Sequence, residues 1–189
     1  MARLTPFHKA MQNTNTSKPN AKKTAVLALL SCLALISFII ESALPVLFPY
    51  MPYAKLGVAN IFIMLAVVIF GIREGVVVAV TKLLLSAMIT GNIYGCLYSA
   101  CGLILSLSCL AILIKFPLGT TIIGKSILSS VFFNIGQVIF ASVSLSYSLI
   151  AILPVMLFCS VIAGSVIGIA VKLVIKRIPS EAFNALISA

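Results

Sequence analysis

Between residues 24 and 171 this chain is nearly continuous apolar sequence, cut by short polar breaks into lengths of about 16 to 23 residues. A helix needs about 20 apolar residues to cross a bilayer, with a range of roughly 17 to 25. Six such lengths can be read, at about 24–44, 57–72, 75–91, 96–114, 122–143 and 149–171. In hydrocarbon the backbone must satisfy its own hydrogen bonds, so apolar runs of this length resolve into helices. The expected fold is an all-α integral membrane protein, a six-transmembrane-helix bundle. Composition agrees: 62% of the 189 residues are hydrophobic and 8% are charged, against about a quarter charged in soluble domains.

The formal charge of +10 raises nucleic acid as a partner, which would require the cations gathered on one exposed face. They sit instead at the ends of the apolar runs, so no nucleic-acid partner is expected. With the N-terminus inside, the inner segments hold Arg3, Lys9, Lys18, Lys22, Lys23, Arg73, Lys115, Lys125, Lys172, Lys176 and Arg177, and the outer loops hold only Lys55. The positive-inside rule then predicts both termini in the cytoplasm and a multi-pass protein of the plasma membrane. Residues 1–23 read as a disordered basic cytoplasmic tail, 24–175 as the membrane domain, and 176–189 as a short cytoplasmic C-terminal tail. The first apolar run is too long for a signal-peptide core and is expected to stay as an uncleaved span. Arg73 and Glu74 alone separate the second and third runs, which predicts a tight hairpin at the cytoplasmic face.

Cys32, Cys96, Cys101, Cys109 and Cys159 all lie in apolar runs without a C-x-x-C spacing. They read as small hydrophobes, with neither disulfide nor metal expected. Small residues four apart let helices approach closely. Ser160, Gly164 and Gly168 form such a stripe on the sixth span, read chiefly as internal packing. Ala28 and Cys32 form a shorter one on the first span, where docking of a partner subunit is the competing reading.

Polar groups inside spanning helices are costly and usually face a cavity or one another. Here they are Glu41, Lys82, Asn134 and Gln137, with Asn60 at the outer end of the second span. At about 1.5 Å per residue, Lys82 lies roughly 10 to 12 Å from the inner face, Asn134 nearly 20 Å, and Gln137 and Glu41 about 25 Å. On the same measure Asn60 is within about 5 Å of the outer surface. This distribution predicts an outward-facing pocket floored by Lys82 and walled by Asn134, Gln137, Asn60 and Glu41. The bland alternative has the two amides bonding between packed helices and Lys82 snorkelling to a headgroup. The first outer loop, Leu44 to Leu56, holds Pro45, Pro49, Pro52, Tyr50, Tyr53 and Lys55; it reads as a rigid interfacial connector or as a lid whose Tyr50, Tyr53 and Lys55 touch ligand.

Three segments, Lys55-Leu-Gly-Val-Ala-Asn60-Ile, Phe70-Gly-Ile-Arg73-Glu74-Gly75 leading to Lys82-Leu-Leu-Leu, and Phe133-Asn134-Ile-Gly136-Gln137, resemble the Gx transporter family, also catalogued as heptaprenyl diphosphate synthase component I. That family is similar to the substrate-binding S components of energy-coupling factor (ECF) vitamin transporters. The resemblance implies the S-component fold, ligand bound near the outer face beneath the first loop, and a first helix that packs on a coupling subunit. Lys82 stands where many relatives carry Arg, and Phe133 where they carry His. The synthase label itself meets a chemical objection, because prenyl diphosphate synthesis holds Mg²⁺ on clustered aspartates, and this chain has no Asp and only Glu41, Glu74 and Glu181. Nor is there a G-x-x-x-x-G-K-[ST] loop to cradle ATP phosphates. The chain is therefore expected to be no enzyme and to carry no cofactor. Two functions remain: the substrate-binding subunit of a transporter for a small vitamin-like or anionic solute, working with coupling and ATPase subunits, or a membrane accessory subunit of prenyl diphosphate or quinone metabolism or flavin-linked electron transfer, beside a prenyl synthase or flavoprotein.

Overall fold

The computed structural model describes residues 21–43, 57–116, 121–144 and 152–179. The expected disordered tail over 1–20, the first loop with Tyr50, Tyr53 and Lys55, and residues 180–189 lie outside the described residues. Within them are six helices: α1 (Ala21–Ala43), α2 (Asn60–Phe70), α3 (Ile72–Thr90), α4 (Ile93–Lys115), α5 (Ile122–Ser144) and α6 (Leu153–Arg177). Helices α1, α4, α5 and α6 have 23 to 25 residues and few charges, long and apolar enough to cross a bilayer. Helix α3 has 19 residues and carries Arg73, Glu74 and Lys82.

Polarity is inverted relative to a soluble bundle. Met88, Phe158, Ile104 and Val143 are exposed, Met88 by 81%, while Lys82, Ser86, Ser99, Asn134, Gln137 and Ser160 are buried. Apolar exteriors suit lipid, and interior polar groups must then find one another.

The two most extensive helix pairings are α4 with α5 and α5 with α6; α1, α2 and α3 pack together as a second group, joined to the first through α3–α4 and α2–α6. Missing side chains explain the close pairings. A Cβ on Gly136 would lie 2.6 Å from the Cys101 carbonyl oxygen, and one on Gly102 would lie 2.7 Å from the Phe133 ring. Across the α5–α6 seam, Cβ atoms on Gly164 and Gly168 would meet the Cα atoms of Ile127 and Ile123 at 2.6 and 2.7 Å. The Ser160, Gly164, Gly168 stripe is thus internal packing. The α4–α5 and α5–α6 seams run antiparallel, so Lys115, Lys125, Lys172, Lys176 and Arg177 gather at one end of the bundle. At that same end Lys23 Nζ meets Glu74 Oε1 at 2.6 Å and ties α1 to the α2–α3 hairpin.

The second helix departs from expectation. Hydropathy predicts a span over 57–72, but α2 begins only at Asn60 and has 11 residues, about 16 Å of helix. Gly57, at φ 82°, starts a turn rather than a helix, and the Asn60 N–H donates to the Gly57 carbonyl at 2.9 Å. At the other end Gly71, at φ 114°, breaks α2 from α3; Gly75 has no Cβ and so leaves room for Val67 across the hairpin. Ile63 through Ile69 are all buried, so α2 is a central strut with apolar neighbours all round.

Candidate functional site

Gly71 is the pivot of the α2–α3 hairpin, and Asn60 and Lys82 stand eleven residues to either side of it. In an antiparallel hairpin such positions are level, each about 16 Å from the turn. Asn60 therefore stands level with Lys82 along the hairpin.

Lys82 is 2% exposed. Its Nζ lies 4.7 Å from the centroid of the Phe38 ring on α1, a cation–π contact of the kind that gains strength away from water. Phe38 packs with Ala59 and Cys96 in a small buried cluster. Ser86, one turn beyond Lys82, donates to the Leu83 carbonyl at 2.9 Å and lies 3.3 Å from Cys96 Sγ. The lysine thus reaches along α3 toward the level of Phe38, which shortens the depth gap to Glu41 that counting residues implied.

Glu41, one turn past Phe38, accepts the Gly57 N–H at 2.7 Å. That bond fixes the 57–60 turn against α1. The same turn meets α5, because a Cβ on Gly57 would lie 2.8 Å from Asn60 Nδ2 and 3.2 Å from Phe133 Cε1. Only glycine suits both this crowding and the positive φ. Asn60 is 8% exposed, and its Oδ1 has no hydrogen-bond partner among the described residues. Glu41, Asn60 and Lys82 are thereby brought around one turn, with Phe38 and Phe133 as aromatic neighbours.

Asn134 is oriented elsewhere. Its Nδ2 donates to Ser160 Oγ at 2.6 Å and to the Met156 carbonyl at 3.3 Å, while Ser160 Oγ donates to that carbonyl at 2.6 Å. This amide ties α5 to α6. Gln137 is fully buried on α5, one turn beyond Phe133. Ala28 and Cys32 are exposed on α1. Phe38, Gly57 and Cys96 escaped the sequence reading; only Gly57, inside a Lys-Leu-Gly-Val-Ala-Asn run, carried a signal, a turn residue just before an amide.

The family described as heptaprenyl diphosphate synthase component I matches residues 30–174. The chain belongs to that family. The matched segment begins in the third turn of α1 and ends in α6, so it reaches into all six helices and takes in every described site residue except Ala28. It is the family of Gx and S-component-like membrane proteins to which the three sequence segments pointed. No curated protein and no solved structure matches the chain.

Proposed function

We propose that this protein is the substrate-binding membrane subunit of a small-molecule transporter, taking a vitamin-like or anionic solute from outside into a pocket around Lys82, Asn60 and Glu41. The observation that carries the reading is a lysine buried mid-helix. Placing an ammonium there costs about 2.5 to 3.5 kcal/mol on insertion scales, and ionisable groups inside spanning helices commonly mark a ligand path. Such a cation, beside the Phe38 ring, suits an anionic or carbonyl-bearing solute. Gln137 lines the α5 side. The chain itself performs no chemistry; coupling and ATPase subunits drive transport, docking on the Ala28 and Cys32 face.

Purification in mild detergent followed by native mass spectrometry identifies a small molecule retained by the wild-type chain. Lys82→Met keeps length and removes charge, and is expected to weaken that retention at least tenfold, about 1.4 kcal/mol, with insertion intact. Equal retention by the variant places the pocket elsewhere. The family's printed description supports a second reading, a non-catalytic accessory subunit of prenyl diphosphate or quinone metabolism. Recovery of a prenyl synthase instead of an ATPase in the same purification favours it.

A further inference from the structure

The anion at Lys82 leaves one neighbouring group unaccounted for. Asn60 is more than nine-tenths buried at the first residue of α2, level with Lys82, and its carbonyl oxygen lacks a partner among the described residues. Native structures rarely leave such an atom unsatisfied without a reason. Its own helix does not use it, since the first N–H groups of α2 are taken by the carbonyls of Gly57, Val58 and Ala59. Nor does the amide tie two helices together as Asn134 does. Its nitrogen lies under Gly57, against which the 57–60 turn is closed by Glu41. What remains is an acceptor without a donor, beside the same Phe38–Ala59–Cys96 cluster that Lys82 borders.

We propose that Asn60 Oδ1 accepts a hydrogen bond from the bound solute, so that the pocket selects an anion that also carries an O–H or N–H group over a simple anion of the same shape. This rests on the binding role proposed above. Lys82 takes the negative group and Asn60 the donor, while the aromatic and small apolar side chains between them receive the solute's hydrocarbon part. A carboxylate bearing a hydroxyl or amine satisfies both, whereas a plain carboxylate leaves the Asn60 oxygen as bare as before. The penalty for that bare oxygen is what gives discrimination.

Benzoate and its three monohydroxy isomers serve as probes on the full chain in detergent, with affinity read from concentration-dependent thermal stabilisation. At least one hydroxybenzoate is expected to bind about fivefold tighter than benzoate, the worth of one net hydrogen bond. Asn60→Leu is expected to erase that preference while benzoate still binds; Asn60→Asp, which keeps an acceptor, retains the preference even where added charge weakens both probes. Were the amide turned over, it would offer a donor at that place, and Asn60→Asp would lose the preference. The proposal is overturned if benzoate matches every hydroxy isomer, if the preference survives in Asn60→Leu, or if no probe stabilises the chain. Benzoate binding that disappears in Lys82→Met, without any hydroxyl preference, leaves the binding role standing and removes the assignment of Asn60. When no probe binds and Lys82→Met leaves the retained molecule unchanged, both fall.

Discussion

Gly136 shows how little space a single position allows. A Cβ there would lie 2.6 Å from the Cys101 oxygen and 2.8 Å from Gly102 Cα, and backbone cannot swing aside as a flexible side chain can. Overpacking costs about 1 to 3 kcal/mol in an adaptable core, so Gly136→Ala is expected to lose at least that much and to lower the melting temperature in detergent by several degrees. Ser108→Ala, on the exposed side of α4, is the control and should leave it unchanged. At this scale the sequence was readable where chemistry is rare. Lys82 and the two amides stood out because polar groups in an apolar run are conspicuous, and the glycine stripe of α6 stood out by spacing. Phe38 did not, because one aromatic residue in an apolar helix looks like any lipid-facing neighbour until the partner above it is known. The direction of Asn134, toward Ser160, was likewise a property of how two helices rotate against each other, which no single helix encodes.

Helix α1 presents a contrast between its two faces. Leu30, Ala34 and Phe38 are buried against the bundle, whereas Ala28, Leu29, Cys32, Ile36 and Ile40 are exposed, and Lys23 pins its base to Glu74. Replacing Ala28 by Leu enlarges only the exposed face. If that face docks a coupling subunit through close helix contact, Ala28→Leu is expected to release a co-purifying membrane partner with the melting temperature unchanged; undiminished co-purification removes the face from consideration. Helices α1 to α5 begin and end within three residues of where hydropathy puts them, whereas α6 runs six residues past the expected end, through Lys172 and Lys176 to Arg177. At the start of α2 a shift of three residues matters most, because Gly57, Val58 and Ala59 are as apolar as the helix they precede. Hydropathy measures affinity for lipid, and the positive φ of Gly57 is a property of backbone geometry to which such a measure is blind.

Across the whole molecule the cations at the described helix ends converge, and the bound Lys23–Glu74 pair sits among them. An end so basic is expected to face the cytoplasm. A probe cysteine at Ser146, between α5 and α6 in a cysteine-free background, should then react with an impermeant reagent from outside the cell; labelling from the cytoplasmic side alone would reverse the orientation. The 11-residue α2 has a different kind of consequence, for biogenesis. It is about half as long as the hydrocarbon is thick and keeps seven successive residues from contact with lipid. A nascent chain cannot park such a segment across a bilayer by itself, and the α3 that follows brings three charges of its own. The two are therefore expected to enter the bilayer as one hairpin against α1, where Lys23 meets Glu74.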